Sequence, residues 1–243
     1  MRSVRVHVDA DLAVGADIAL PQAQSHYLKH VLRLKPGAAI RLFNGRETCD
    51  YPAELFADGK RLRARLHSKQ PASTESALQS EIIQGLGRAD HMDWMIQKTT
   101  ELGVKRISLF QAERTQSTLQ SAQLQKKLQH WRGVAISACE QSGRSILPEM
   151  HYHGNLEQAL AHCSFELRLL LEFSGSPLPS ILQQAQASVA ILLGPEGGLD
   201  PGEIELGKST GFIPVSLGPR VLRTETAATS ALAIVQALQG DLN

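Results

Sequence analysis

Two glycine-rich stretches hold the residues best suited to gripping a ligand by its edges: Gly194-Pro195-Glu196-Gly197-Gly198 and Leu217-Gly218-Pro219-Arg220-Val221-Leu222-Arg223-Thr224-Glu225-Thr226-Ala227. Glycine has no Cβ, so main-chain amides and carbonyls at such turns can come close to a bound molecule. The first stretch follows the apolar run Val189–Leu193, which reads as a buried strand. The second runs into Ala227 to Leu238, a strong helix-forming segment closed by Gly240. Thr224 is expected to cap that helix, and Glu225 stands where the positive end of a helix dipole favours an acid. The small residues Ala227, Ala228, Ser230, Ala231, Ala233 and Ala237 would let other backbone pack closely against it. Two such turns, each at the end of a strand, make a pocket walled mostly by backbone.

Other chemistries fail on context. Gly202-Glu203-Ile204-Glu205-Leu206-Gly207-Lys208-Ser209 matches the phosphate-loop pattern G-x-x-x-x-G-K-[ST], but Asp200 and Pro201 start a helix that runs through it. Glu203 and Glu205 would face the phosphates, and Gly211 leaves no helix behind the motif. No G-x-G-x-x-G follows a strand, which excludes a dinucleotide site of the Rossmann kind. The 9 histidines show no ligand spacing, so no metal is expected; His151 and His153 flank a strand end. Cys49, Cys139 and Cys163 are odd in number and far apart, neither a zinc set nor a disulfide framework, and read as filler in a reducing cytoplasm. The segment MRSVRVHVDAD lacks the apolar stretch of a signal peptide, and no run is long enough to span a bilayer.

Turns of this kind need strands that end at them. The chain has 243 residues, 42% hydrophobic and 20% charged, enough for one large domain or two. Residues 1–75 carry twelve Lys and Arg against eight Asp and Glu, a balance of +4. The remaining residues carry thirteen against sixteen, a balance of −3. An N-terminal part that meets phosphate and a C-terminal part with another task fit that split. Residues 2–8 alternate as a half-buried strand, a short helix is expected over Ser25–Arg33 with Ser25 as its cap, and Ala39–Phe43 pairs with Cys49–Phe56 across an Asn44-Gly45 hairpin turn. Asp58-Gly59 is another hairpin signal before Arg61–His67, so a small β-barrel is expected. Residues 70–80 are polar and aperiodic and set the boundary between residues 1–72 and 76–243. Beyond it strands and helices alternate: Glu81–Leu86, a helix capped by Asp90 and running to Leu102, Arg106–Phe110, the polar loop Glu113–Ser117, a long helix Thr118–Glu140, Leu147–Tyr152, Asn155–His162, Glu166–Glu172, Val189–Leu193, a helix from Asp200-Pro201, and Phe212–Leu217. Alternation of this type gives a parallel sheet covered on both faces, with ligands at the carboxyl ends of its strands.

GPEGG after a buried strand, followed by LGPRVLRTETA at the start of the last helix, resembles the SPOUT class of S-adenosylmethionine-dependent RNA methyltransferases. Within that class the chain is similar over essentially its whole length to the RsmE family, which methylates N3 of one uridine in 16S ribosomal RNA. The segment His26-Tyr27-Leu28-Lys29-His30-Val31-Leu32-Arg33-Leu34-Lys35-Pro36-Gly37, with Leu42-Phe43-Asn44-Gly45, resembles that family's PUA-like RNA-binding domain. The resemblance implies an α/β fold with a small PUA-like β-barrel followed by a trefoil-knotted methyltransferase domain. It also implies S-adenosyl-L-methionine as cofactor, the small ribosomal subunit as partner, and a homodimer. Its cofactor site would comprise Leu171, Glu172, Phe173, Leu193, Gly194, Pro195, Glu196, Gly197, Leu217, Gly218, Val221, Leu222, Arg223, Thr224 and Thr226. Lys29, Arg33, Arg41, Arg114 and Arg144 would meet RNA, with Lys35 and Arg46 beside them. Uracil N3 must lose a proton or have its developing anion stabilised. Arg114, Arg144, Arg220 and Arg223 are the candidate cations, Glu196 and Glu225 the candidate bases; Arg223, Glu225 and Arg114 are the catalytic choices. A SPOUT enzyme for another RNA position, such as a transfer-RNA ribose 2′-hydroxyl, is the alternative, and a silent RNA-binding scaffold a third reading.

Overall fold

The computed structural model describes residues 4–59, 61–115 and 121–242. It divides into two compact units, Met1–Glu75 with Cys139–Leu147, and Ser76–Ala138 with Pro148–Asn243.

The first unit is a six-stranded sheet of β1 (Val4–His7), β2 (Asp17–Ala19), β3 (Ala39–Phe43), β4 (Cys49–Asp58), β5 (Arg61–Leu66) and β6 (Gln70–Pro71), in the order β1-β3-β4-β5-β2 with β6 on β4. Only β1 and β3 run parallel. In β5 the period of two is visible directly: Leu62, Ala64 and Leu66 are buried while Arg61 and Arg65 face water. These join Val6, Leu28, Leu42, Tyr51 and Leu55 in one core. The β3–β4 connection is longer than the two-residue turn expected, because Asn44 Oδ1 accepts from the amides of Arg46 and Glu47 at 3.0 and 3.2 Å and rounds the corner as an Asx turn. Ser25 is not a cap. It lies inside α1 (Gln22–His26), buried, donating to Leu20 O and accepting from the Leu62 amide. A π-helical turn Tyr27–Val31 continues α1, and Arg33 beyond it adopts a left-handed φ of 55°.

Cys139–Leu147 belongs to this unit for an electrostatic reason. Arg5 holds Asp50 with two parallel hydrogen bonds of 2.9 and 2.7 Å, donates to Cys139 O and Arg144 O at 2.6 and 3.0 Å, and lies 4.5 Å over the Phe43 ring. Arg144, chosen above as an RNA contact, is 2% exposed. Its guanidinium reaches Glu75 at 2.9 Å, and the same carboxylate accepts from the Ser145 and Ile146 amides. A cation buried this way holds the segment in place and cannot reach a phosphate.

The second unit is a wholly parallel sheet of β7 (Gln79–Gly85), β8 (Arg106–Phe110), β9 (Glu149–His153), β10 (Leu167–Pro177), β11 (Ser188–Leu193) and β12 (Ile213–Ser216), ordered β12-β10-β11-β7-β8-β9. The central β7 and β11 are buried on both faces, as their unbroken apolar runs require. One face packs Met95, Ile96, Leu169, Ile191, Ala231 and Leu232 against α2 (Ala89–Glu101), α3 (Ser121–Ser142) and α7 (Thr224–Gln239). The other packs Ile83, Phe110, Leu160, Leu170 and Phe212 beneath α4 (Leu156–Ala161) and α6 (Pro201–Ser209). A four-residue helix, α5 (Leu178–Ile181), follows β10. Asp200 and Glu203 form a reciprocal capping box that starts α6, and the helix runs through the phosphate-loop look-alike. Asn155 caps α4 through the Gln158 amide. Asp90 does not cap α2: Arg88 is the N-cap and Asp90 sits in the first turn. Gln116, Ser117 and the expected helix start at Thr118 lie outside the described residues. All three cysteines are buried and unpaired, and burial pushes the Cys139 thiol up to about 12. Among the described residues no helix is long and apolar enough to cross a membrane, and no three His, Cys, Asp or Glu could hold a metal.

Candidate cofactor and active site

Adjacent strands β12, β10 and β11 end side by side, and the segments that leave them enclose a cavity of about 210 Å³. After β11 the chain turns at Gly194–Gly198, closed by a 2.8 Å bond from the Gly198 amide to Pro195 O. The turn has no space for a side chain at Gly194, where a Cβ would lie 2.6 Å from both Gly198 C and Leu199 N. From β10 come Leu171, Glu172 and Phe173, where the β10–β12 register slips between Leu171 and Ser176. After β12 the loop 217–223 lines the cavity, and Gly218 takes a φ of 94°.

Leu171, Glu172, Phe173, Leu193, Gly194, Pro195, Glu196, Leu217, Gly218, Val221, Leu222 and Thr224 all line the cavity, together with Gly198, Val215, Ser216, Arg220 and Ala227, which sequence reasoning left out of the cofactor set. Gly197, Arg223 and Thr226 do not line it. The reason is clear for Gly197: its missing Cβ faces Arg114, whose Cβ and carbonyl oxygen would lie 3.2 Å away. Arg114 itself is exposed and donates to Gly197 O at 3.3 Å, so it lies over the turn. Thr224 is not a cap. It is the first helical residue of α7, Arg223 is the N-cap, and no side chain caps the helix.

Two features suit the cavity to an aromatic, partly polar ligand. Phe173 and Val221 are 66% and 83% exposed, which leaves apolar surface at its rim that a bound ring would cover. The amides of Gly218, Arg220, Val221 and Leu222 donate to no described residue, so donors stand ready along the same loop. Arg220 and Arg223 are exposed, and their side chains make no ion pair or hydrogen bond among the described residues.

Behind the cavity is a cluster that sequence spacing missed. His91, in the first turn of α2, places Nδ1 2.7 Å from Glu196 Oε1 and 3.6 Å from Glu225 Oε2. Burial pushes the Glu196 carboxyl up, but the Arg88 amide, its own amide and His91 outweigh that and hold it below the usual carboxylate range. Glu196 is therefore ionised and a poor base. Glu225 is 8% exposed and directed toward His91, not among the lining residues, and its Oε2 has no hydrogen-bond partner among the described residues. No linear motif announces this cluster: His91 and Glu196 are 105 positions apart.

A backbone-lined cavity at the carboxyl ends of parallel strands is where enzymes of the α/β class bind their ligands. The family model described as RNA methyltransferase domain matches residues 74–236, and the RNA methyltransferase PUA domain matches residues 20–63. A ribosomal RNA small subunit methyltransferase E of Buchnera aphidicola from Schizaphis graminum is 33% identical over 246 residues, covering 100% of this chain and 99% of that protein. A Legionella pneumophila methyltransferase solved in complex with the cofactor SAM is 33% identical with a TM-score of 0.92, covering 100% of both chains. The Neisseria gonorrhoeae ribosomal RNA small subunit methyltransferase E, solved bound to S-adenosyl methionine, is 32% identical with a TM-score of 0.89, again over 100% of both. The chain belongs to the ribosomal RNA small subunit methyltransferase E family.

Proposed function

We propose that this chain transfers a methyl group from S-adenosylmethionine to N3 of a uridine in small-subunit ribosomal RNA. The observation that carries the reading is the cavity at the ends of β10, β11 and β12, with its backbone donors and exposed apolar rim. Leu171, Phe173, Leu193, Val221 and Leu222 would enclose the adenine, and amides of the loop 217–223 would read its edge and the ribose. The cofactor brings the methyl group on a sulfonium that needs no activation. The protein's share is to fix the uracil in line with that methyl and to ease loss of the N3 proton. Arg220 at the rim, with Arg223 three positions further on, supplies the positive charge that stabilises the uracil anion while the proton leaves to water across the open mouth. Glu225, buried and turned to His91, serves the site from behind.

The same reading divides the work between residues 1–72 and 76–243, the first for RNA and the second for cofactor. Arg33 and Arg41 on the first unit are exposed, as phosphate contacts must be, and Lys29 is half-buried. A homodimer belongs to the reading too: Trp94 on α2 and Leu238 on α7 are 42% and 50% exposed, apolar surface that a second copy could cover. The trefoil knot comes from the family resemblance, and a cytoplasmic setting from the three unpaired cysteines. The test is methylation of small-subunit RNA from a strain lacking this activity, with the modified uridine mapped by mass spectrometry. A methyl group found on a ribose, or none at all, would refute the assignment.

A further inference from the structure

Three elements bring charge to His91. Arg88 and Asp90 flank it at the start of α2, Glu196 comes from the turn after β11, and Glu225 from the first turn of α7. The His91 side chain is 17% exposed and that of Glu225 is 10% exposed. His91 Nδ1–H donates to Glu196 Oε1, which also accepts from the Arg88 amide at 2.9 Å. His91 Nε2 lies 3.8 Å from Asp90 Oδ2. Gly87 makes room for the Glu196 carboxylate, since a Cβ there would lie 2.8 Å from Oε2. Among the described residues Glu225 Oε2 has no hydrogen-bond partner, and it lies 3.6 Å from His91 Nδ1.

Glu196 and Glu225 stand on the two segments that wall the cavity. With His91 neutral, two carboxylates would face one imidazole, one of them buried, and repulsion would push the segments apart. With His91 protonated, a single cation answers both. We propose that His91, in its charged form, is the positioning residue that sets the gap between the two cofactor turns. The inference rests on the reading of the cavity as an S-adenosylmethionine site. Because α2 is packed in the sheet core through Met92, Met95 and Ile96, it offers a fixed post for this clamp.

The test is S-adenosylmethionine affinity by calorimetry on the full chain, with folding checked by circular dichroism. Wild-type protein that binds no S-adenosylmethionine defeats the cofactor reading itself, separately from this proposal. Given wild-type binding, His91→Ala should weaken it at least tenfold, and His91→Ala with Glu225→Gln should recover most of that loss by removing the uncompensated carboxylate. His91→Gln keeps a donor to Glu196 without the charge. It should therefore bind S-adenosylmethionine more weakly than wild type, and adding Glu225→Gln should recover that loss. Folded His91→Ala with affinity within twofold of wild type overturns the proposal. If that variant does not fold, His91→Gln with affinity within twofold of wild type overturns it instead.

Discussion

The molecule holds two buried charge clusters that are built oppositely. In the N-terminal unit, Arg5 and Arg144 each meet a carboxylate in the hydrogen-bonding plane, and Ser145 and neighbouring amides use up what remains of Asp50 and Glu75. In the C-terminal unit, one imidazole faces two carboxylates, and a buried oxygen of Glu225 has no donor among the described residues. A closed network of this kind fixes one conformation and has no capacity left for a ligand. An open one keeps a standing electrostatic cost, and proteins retain such costs chiefly where something functional is done with them. Arginine in a sequence therefore says little about RNA until its partners are known.

That contrast can be broken by experiment. The largest effect belongs to Arg144→Ala, which strands Glu75 in the interior and should cost about 3–5 kcal/mol in urea unfolding. A loss below about 1 kcal/mol would show that the closed network is decorative. Gly194→Ala comes next: its Cβ meets main chain of Gly198 and Leu199, so about 1–3 kcal/mol of stability and at least tenfold of cofactor affinity should go together. Calorimetry showing normal affinity in that variant would mean the turn does not shape the cavity. Glu196→Gln should be more mildly destabilising at neutral pH, because the folded carboxyl is held below its ordinary value. Stability from such a group is present above the ordinary carboxylate range and disappears as pH falls through the lowered value. The thermal-melt difference between wild type and Glu196→Gln should thus be steady from pH 6 to 8 and vanish on acidification; a gap that widens in acid has the wrong sign. Smallest is Arg33→Gly. A left-handed φ of 55° strains any residue with a Cβ, so this change should stabilise the first unit by about 1 kcal/mol while weakening RNA binding and lessening its salt dependence. Equal or tighter RNA binding would remove Arg33 from the interface.

Apolar runs such as Val189–Leu193, buried on both faces, made the parallel sheet legible from sequence alone, since period and run length are local properties. The glycine turns were legible for a similar reason: Gly194 and Gly218 sit where backbone packing or a positive φ excludes other residues. Helix starts were less so. Thr224, Asp90 and Ser25 all have capping side chains, yet none caps, because tertiary packing chose a different first residue for each helix.

What the sequence determined by itself was the alternation of strands and helices, the two turns after β11 and β12, and the failure of the phosphate-loop match, whose capping box is written in Asp200 and Glu203. The tertiary structure alone decided which charges are spent. It buried Arg144 against Glu75, 69 positions away, turned Gly197 toward Arg114 and away from the cavity, and set His91 between Glu196 and Glu225. Those outcomes depend on desolvation and on partners distant in the chain, and a residue's type and spacing carry neither.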